Sequence, residues 1–173
     1  MSRPLLADAF EHHVWATLIV IDVCAGLRPG QLETNTPGTY GPILDTLRHL
    51  VEADRSYLVP ITDGTAEPID ESTMDLPGLR AVMDEDAAMW ATVVAGDLDA
   101  ERVVVRHRDD GSDSLAPLGV RLAQALHHGT DHRSQICTAL TSLGIEPPEI
   151  DVWDYADSQG RLSQTEPTVP PSS

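Results

Sequence analysis

Lysine is absent from this chain: all 11 basic residues are arginines, set against 28 aspartates and glutamates, for a formal charge of −17. Such a chain lacks the clustered cations that phosphate backbones require, which excludes nucleic-acid binding as a function class. The same deficit excludes docking on an anionic membrane surface. Small or cationic partners remain, and the charge favours solubility. Aromatic residues are scarce at 4%, although a hydrophobic content of 41% still reads as globular. Only Cys24 and Cys137 carry thiols, and both fall in apolar helical stretches, so they read as buried, inert groups. The longest apolar run, Val14 to Val23, is too short to span a bilayer. The opening Met1-Ser2-Arg3-Pro4 lacks the charged and apolar regions of a signal peptide, so a cytoplasmic location is expected.

What is present is helical periodicity. Leu6, Phe10, Val14, Leu18, Ile21 and Ala25 recur at helical spacing, predicting a first helix over about residues 4–27, with Pro29-Gly30 as its stop. Ile43, Leu47, Leu50, Asp54 and Leu58 mark a second over about 42–59, led by Pro42. Asp75 caps a third over about 76–95. The fourth runs over about 117–143 and finishes at Gly144. Only Val103-Val104-Val105, closed by Asp109-Asp110-Gly111, leans towards a strand. The expectation is an all-α four-helix bundle over residues 1–156, with Trp153 and Tyr155 packed onto it. Residues 157–173, rich in Ser, Pro, Thr and Gln, are expected to be a disordered tail. The first helix is apolar around most of its circumference between Trp15 and Ala25, more than one core-facing side needs, which predicts a homodimer.

The most informative segment is His128-Gly129-Thr130-Asp131-His132-Arg133-Ser134-Gln135. His128 and His132 are four residues apart, so a helix stacks them on one face, on or beside the apolar stripe of Leu122, Ala125, Gly129 and Ile136. Burying imidazoles there is costly unless their nitrogens find partners. A divalent metal bound by both, with His49 of the second helix as a third nitrogen, meets that need. His12, His107 and His127 are not expected to take part. Arg133 is a candidate to anchor a carboxylate of cofactor or substrate through paired bonds, or else forms a surface salt bridge. Gln135 orients a ligand imidazole or bonds between helices. His13 and Trp15 are candidates for the pocket wall, with Trp15 also readable as plain core.

This segment, followed by Leu143-Gly144 and Pro147-Pro148, resembles the last helix of the DinB-like (DNA-damage-inducible) family. Leu47-Arg48-His49-Leu50-Val51-Glu52-Ala53-Asp54-Arg55-Ser56-Tyr57-Leu58 resembles that family's second helix, and His13-Val14-Trp15-Ala16-Thr17 its first-helix motif. The chain departs from the usual pattern at His13, where Asn is common, at Asp131, where a hydrophobic or aromatic residue is usual, and at Ser134, where Gly is commoner.

The resemblance implies an antiparallel four-helix bundle holding a divalent metal, zinc or nickel, on His49, His128 and His132. It implies kinship with thiol-dependent S-transferases and the mycothiol-dependent maleylpyruvate isomerase. The expected activity is transfer of a low-molecular-weight thiol to a small electrophilic substrate. Two alternatives stand beside it: a non-catalytic metal-binding stress protein, and a metal-dependent hydrolase or isomerase that needs no thiol.

Overall fold

The computed structural model describes residues 3–108, 110–163 and 165. It is mostly helical. Among the described residues, four long helices, α1 (Ala7–Ala25), α3 (Ile43–Ile61), α4 (Leu76–Ala95) and α5 (Leu118–Ser142), are accompanied by two short ones, α2 (Pro29–Leu32) between α1 and α3 and α6 (Val152–Ser158) after α5, and by a 3-10 turn at Glu71–Thr73. Among the described residues the only strands are β1 (Val103–His107) and β2 (Asp113–Pro117).

The helix ends follow from local chemistry. The Asp75 carboxylate accepts from the Gly78 N–H at 2.9 Å, satisfying a first-turn donor of α4. Past α5, Gly144 takes φ +71°, a left-handed turn that glycine adopts without steric cost. The Ile145 N–H then reaches back to the Leu140 carbonyl at 3.0 Å. Asp151 accepts from the Trp153 and Asp154 N–H groups, and Asp154 accepts in return from the Asp151 N–H, which starts α6.

Packing explains the rest. α1 lies against α4 and α5, and α3 lies against the same two, so each long helix has two flanking neighbours. Phe10, Ile21, Leu47, Leu50, Leu79, Met83, Trp90, Leu118, Ile136 and Leu140 fill the space between them. Each such side chain contributes about 1.5–3 kcal/mol by leaving water. Burial pushes the Cys24 thiol up to about 12, and its inertness follows. No helix among the described residues is long and apolar enough to cross a membrane.

Several expectations are corrected here. The chain is mostly helical and the strand expected at Val103–Val105 is present, but it has an unexpected partner, because Val103 to Pro117 folds back as an antiparallel hairpin in which Val105 faces Leu115. Arg121 of α5 pins it by donating from Nη2 to the Val104 and Ser114 carbonyls at 3.1 and 2.7 Å. Pro29-Gly30 does not simply end a helix; Pro29 opens α2, where a proline lacks nothing by having no N–H. α3 continues through Pro60 to Ile61, because in the last turn a proline costs only the bond to the Ser56 carbonyl. Tyr155 packs inward as expected, with its hydroxyl on Glu11 Oε2 at 2.6 Å, but Trp153 stays 70% exposed. Of the expected tail, Asp157 and Ser158 close α6, while residues 164 and 166–173 lie outside the described residues.

Candidate metal centre

α3 and α5 lie side by side and bring three imidazoles together. His128 Nε2 is 3.1 Å from His49 Nε2 and 3.1 Å from His132 Nε2. One ligand atom from each residue fits within 4.8 Å of the other two, the only such group of His, Cys, Asp or Glu among the described residues. The spacing is what the four-residue interval on α5 dictates, since one helical turn stacks His128 beneath His132. His49 is presented across the groove by α3, whose apolar face, with Leu47, Leu50 and Leu58 fully buried, fixes the helix's rotation.

The protonation states can be read from the partners. Gln135 Oε1 accepts from the backbone N–H of Tyr40 at 2.8 Å, which identifies that atom as the carbonyl oxygen. It also lies 3.2 Å from His132 Nδ1, so that nitrogen is the donor and Nε2 carries the lone pair. Burial lowers all three histidine pKa values. For His128, burial followed by the neighbouring His132 and His49 takes it down to about 4. His49 is lowered by burial and by His132, and His132 by burial against the opposing effect of Gln135. Three neutral imidazoles result. A neutral His128 can offer one Nε2 proton to only one of its two neighbours, which leaves the other without a donor from His128; with that proton on Nδ1 instead, the Nε2 lone pairs of His128 and His132 face each other.

A divalent cation resolves this. Nitrogens about 2.0–2.1 Å from one ion, at coordination angles of about 90–110°, sit roughly 2.9–3.4 Å apart. The two 3.1 Å separations fall inside that range, and the third pair lies within 4.8 Å. The three histidines are therefore close enough, and of the right chemistry, to hold one metal ion.

Two tyrosines flank the cluster. Tyr40 stacks on His49 with ring centres 4.2 Å apart and planes 4° from parallel, and meets His132 edge-on at 5.4 Å. Tyr57 meets His128 edge-on at 5.9 Å, and its hydroxyl accepts from Gln124 at 3.3 Å. Tyr40 belongs to a loop nine residues before His49, so no spacing rule reaches it. Its tie is the backbone bond to Gln135, which serves both as an inter-element bond and as the partner of His132.

The other histidines lie elsewhere. His12 bonds the Ile150 carbonyl at 2.8 Å, and His107 pairs with Asp113 at 2.7 Å on the exposed hairpin. His127 faces the solvent side of α5. Nor does His13 line the cluster. It is 1% exposed, with Nε2 on Asp54 Oδ1 at 2.8 Å and Nδ1 on Arg133 Nη1 at 3.1 Å. Asp54 Oδ2 accepts from Trp90 Nε1 at 2.8 Å, so one buried polar chain links α1, α3, α4 and α5. Gly129 makes room for it: a Cβ there would meet His13 Cε1 at 2.3 Å. Trp15 packs with His12 and Tyr155 instead of reaching the cluster. Arg133 is 3% exposed and forms no surface salt bridge, which corrects that alternative. Burial takes its guanidinium down to about 10 despite Asp54 nearby.

None of the curated proteins matches the chain. A family model, the DinB family, matches residues 1–168. The order of His49 before His128 and His132, their convergence between α3 and α5, and a match over nearly the whole length agree: this chain belongs to the DinB family.

Proposed function

We propose that this protein is a metal-dependent enzyme that joins a low-molecular-weight thiol to a small electrophile, with His49, His128 and His132 as the ligands of a zinc or nickel ion. The observation that carries the reading is the convergence of three neutral imidazoles, with His128 Nε2 at 3.1 Å from both His49 Nε2 and His132 Nε2, all three within 4.8 Å, and with His49 and His128 only partly buried. Three protein ligands with room for another suit a reactive centre, whereas a structural site is closed by four. When bound, the ion would supply Lewis acidity and favour a thiolate at neutral pH.

The chain's own residues do the remainder. Gln135 holds His132 in the tautomer that turns its lone pair towards the ion, and burial keeps the other rings neutral and ready to ligate. Tyr40 and Tyr57 flank the three rings, so a substrate reaching them would meet aromatic side chains. In the reaction an S–C bond forms, the thiol proton leaves to solvent, and any leaving group departs with its electron pair. The reading includes an antiparallel four-helix bundle of α1, α3, α4 and α5, a cytoplasmic setting where such thiols stay reduced, and a homodimer. Trp15, Leu18 and Ile19 of α1 remain partly exposed and would form part of the dimer face.

Metal analysis of the purified protein, followed by a conjugation screen with glutathione, bacillithiol and mycothiol, tests this. His132→Ala should lose both bound metal and conjugation while its circular dichroism stays helical. Turnover without any thiol would favour the hydrolase or isomerase alternative. Bound metal with no conjugation across the screen would favour the non-catalytic one.

A further inference from the structure

Arg133 is a buried cation without a directly paired carboxylate. Its Nη1 donates to His13 Nδ1 and Thr17 Oγ1, both at 3.1 Å, with the His13 carbonyl at 3.4 Å, and its Nη2 donates to Thr130 Oγ1 at 3.2 Å. A guanidinium has five N–H groups. Nε–H and one hydrogen of Nη2 thus have no partner among the described residues. These two nitrogens share one edge of the guanidinium, the edge that meets a carboxylate in two parallel bonds.

Arg133 lines a cavity of about 550 Å³ between α1, α5 and residues 150–152. Ala9, Leu126, Cys137 and Ile150 supply largely apolar walls. Of the other polar groups, the Ser134 hydroxyl has no partner among the described residues and is a further donor to an anion, while the rest are engaged. Asp151, at the rim, accepts from two backbone N–H groups of α6, and His12 bonds the Ile150 carbonyl. None of His49, His128 and His132 lines this cavity, so it is separate from the candidate metal centre. A desolvated charge with an unused fork, set in apolar walls, is matched by one chemistry: an anion that takes two bonds and carries an apolar body.

We propose that this cavity binds a small monocarboxylate, its carboxylate on the free edge of Arg133 and its hydrocarbon part against Ala9, Leu126 and Ile150. Calorimetric titration of the full-length protein with benzoate tests it, with benzamide as the neutral analogue of the same shape. One saturable benzoate site per chain is expected, with benzamide at least about tenfold weaker. Chelator treatment should leave the benzoate affinity unchanged, which separates this site from the metal reading. Arg133→Lys keeps the charge but loses the fork, and should weaken benzoate at least about tenfold. In case that variant loosens the core, Ala9→Leu fills the cavity and leaves Arg133 and its partners in place; it too should lose the site, at an unchanged melting temperature. Equal affinity for benzoate and benzamide, retention of binding in both variants, or no saturable binding below about 10 mM would overturn the proposal.

Discussion

Two sets of histidine nitrogens meet α5 within a few residues of each other, at Arg133 and at His128 and His132, and they are satisfied in opposite ways. His13 has a protein partner on each nitrogen, Asp54 on one side and Arg133 on the other, and is 1% exposed. It is a core residue and needs nothing more. His49, His128 and His132 turn their Nε2 atoms towards one another. Burying a neutral imidazole is tolerable when its nitrogens are paired, and costly when lone pairs face lone pairs. A histidine count cannot separate these cases. Where each nitrogen points can.

Breaking the satisfied set should cost the most. Asp54→Ala removes the acceptor of both His13 and Trp90 Nε1 and leaves Arg133 without its nearby countercharge. A loss of about 3–5 kcal/mol in denaturant-induced unfolding is expected. His49→Ala in metal-free protein should change stability by less than about 1 kcal/mol, because it removes a half-buried ring with no protein acceptor to orphan. Similar losses in the two variants would erase the contrast.

Gly129→Ala pits two effects against each other. Helix propensity favours alanine by about 1 kcal/mol. The added Cβ would sit 2.3 Å from His13 Cε1 and 2.9 Å from Arg133 Nη1, however, and so must displace the buried chain. Packing should win, with a net destabilisation of about 1–3 kcal/mol by thermal or denaturant unfolding. A more stable variant would mean that the His13–Arg133 contact gives way freely.

Gln135→Leu sharpens the comparison from the other side. It frees His132 Nδ1 and unties Tyr40, so metal affinity should fall about tenfold with little change in fold. Competition against a chromogenic chelator measures this.

The smallest effect is on pH dependence. The His128 pKa falls from its ordinary value of 6.5 to about 4 in the folded chain, so the unfolded chain takes up the proton first as pH drops. In chelator-treated protein this contribution is intact above about pH 6.5 and is lost as pH falls towards 4. Unfolding midpoints for the parent and His128→Asn should lie close near neutrality and separate as pH falls towards 4, where the parent loses stability that the variant keeps.

Much of this was legible in the sequence, for reasons that differ by element. The long helices declare themselves by apolar residues at helical spacing, and Asp75 and Gly144 mark ends that the structure keeps. The i, i+4 interval of His128 and His132 is itself a geometric statement. β2 was not legible, because Asp113-Ser114-Leu115-Ala116-Pro117 has neither β-branched residues nor a strong alternation, and Arg121 holds it from outside. α2 hid behind Pro29-Gly30, which also reads as a stop. The surface alternative for Arg133 failed, and His13 proved to be core and not pocket wall, for one reason: a charged or polar residue on an amphipathic helix cannot be placed until its partners on other helices are known. Tyr40 reaches the cluster through a backbone bond, which no side-chain pattern encodes.

The central claim is that the unsatisfied histidine set is a metal site and the satisfied one is not. Titration of chelator-treated protein with zinc, in parallel for the parent, His128→Ala and His13→Asn, tests it most directly. One ion per chain is predicted for the parent and for His13→Asn, and none for His128→Ala. A parent that binds no zinc, or a His128→Ala variant that still binds one equivalent, would contradict it.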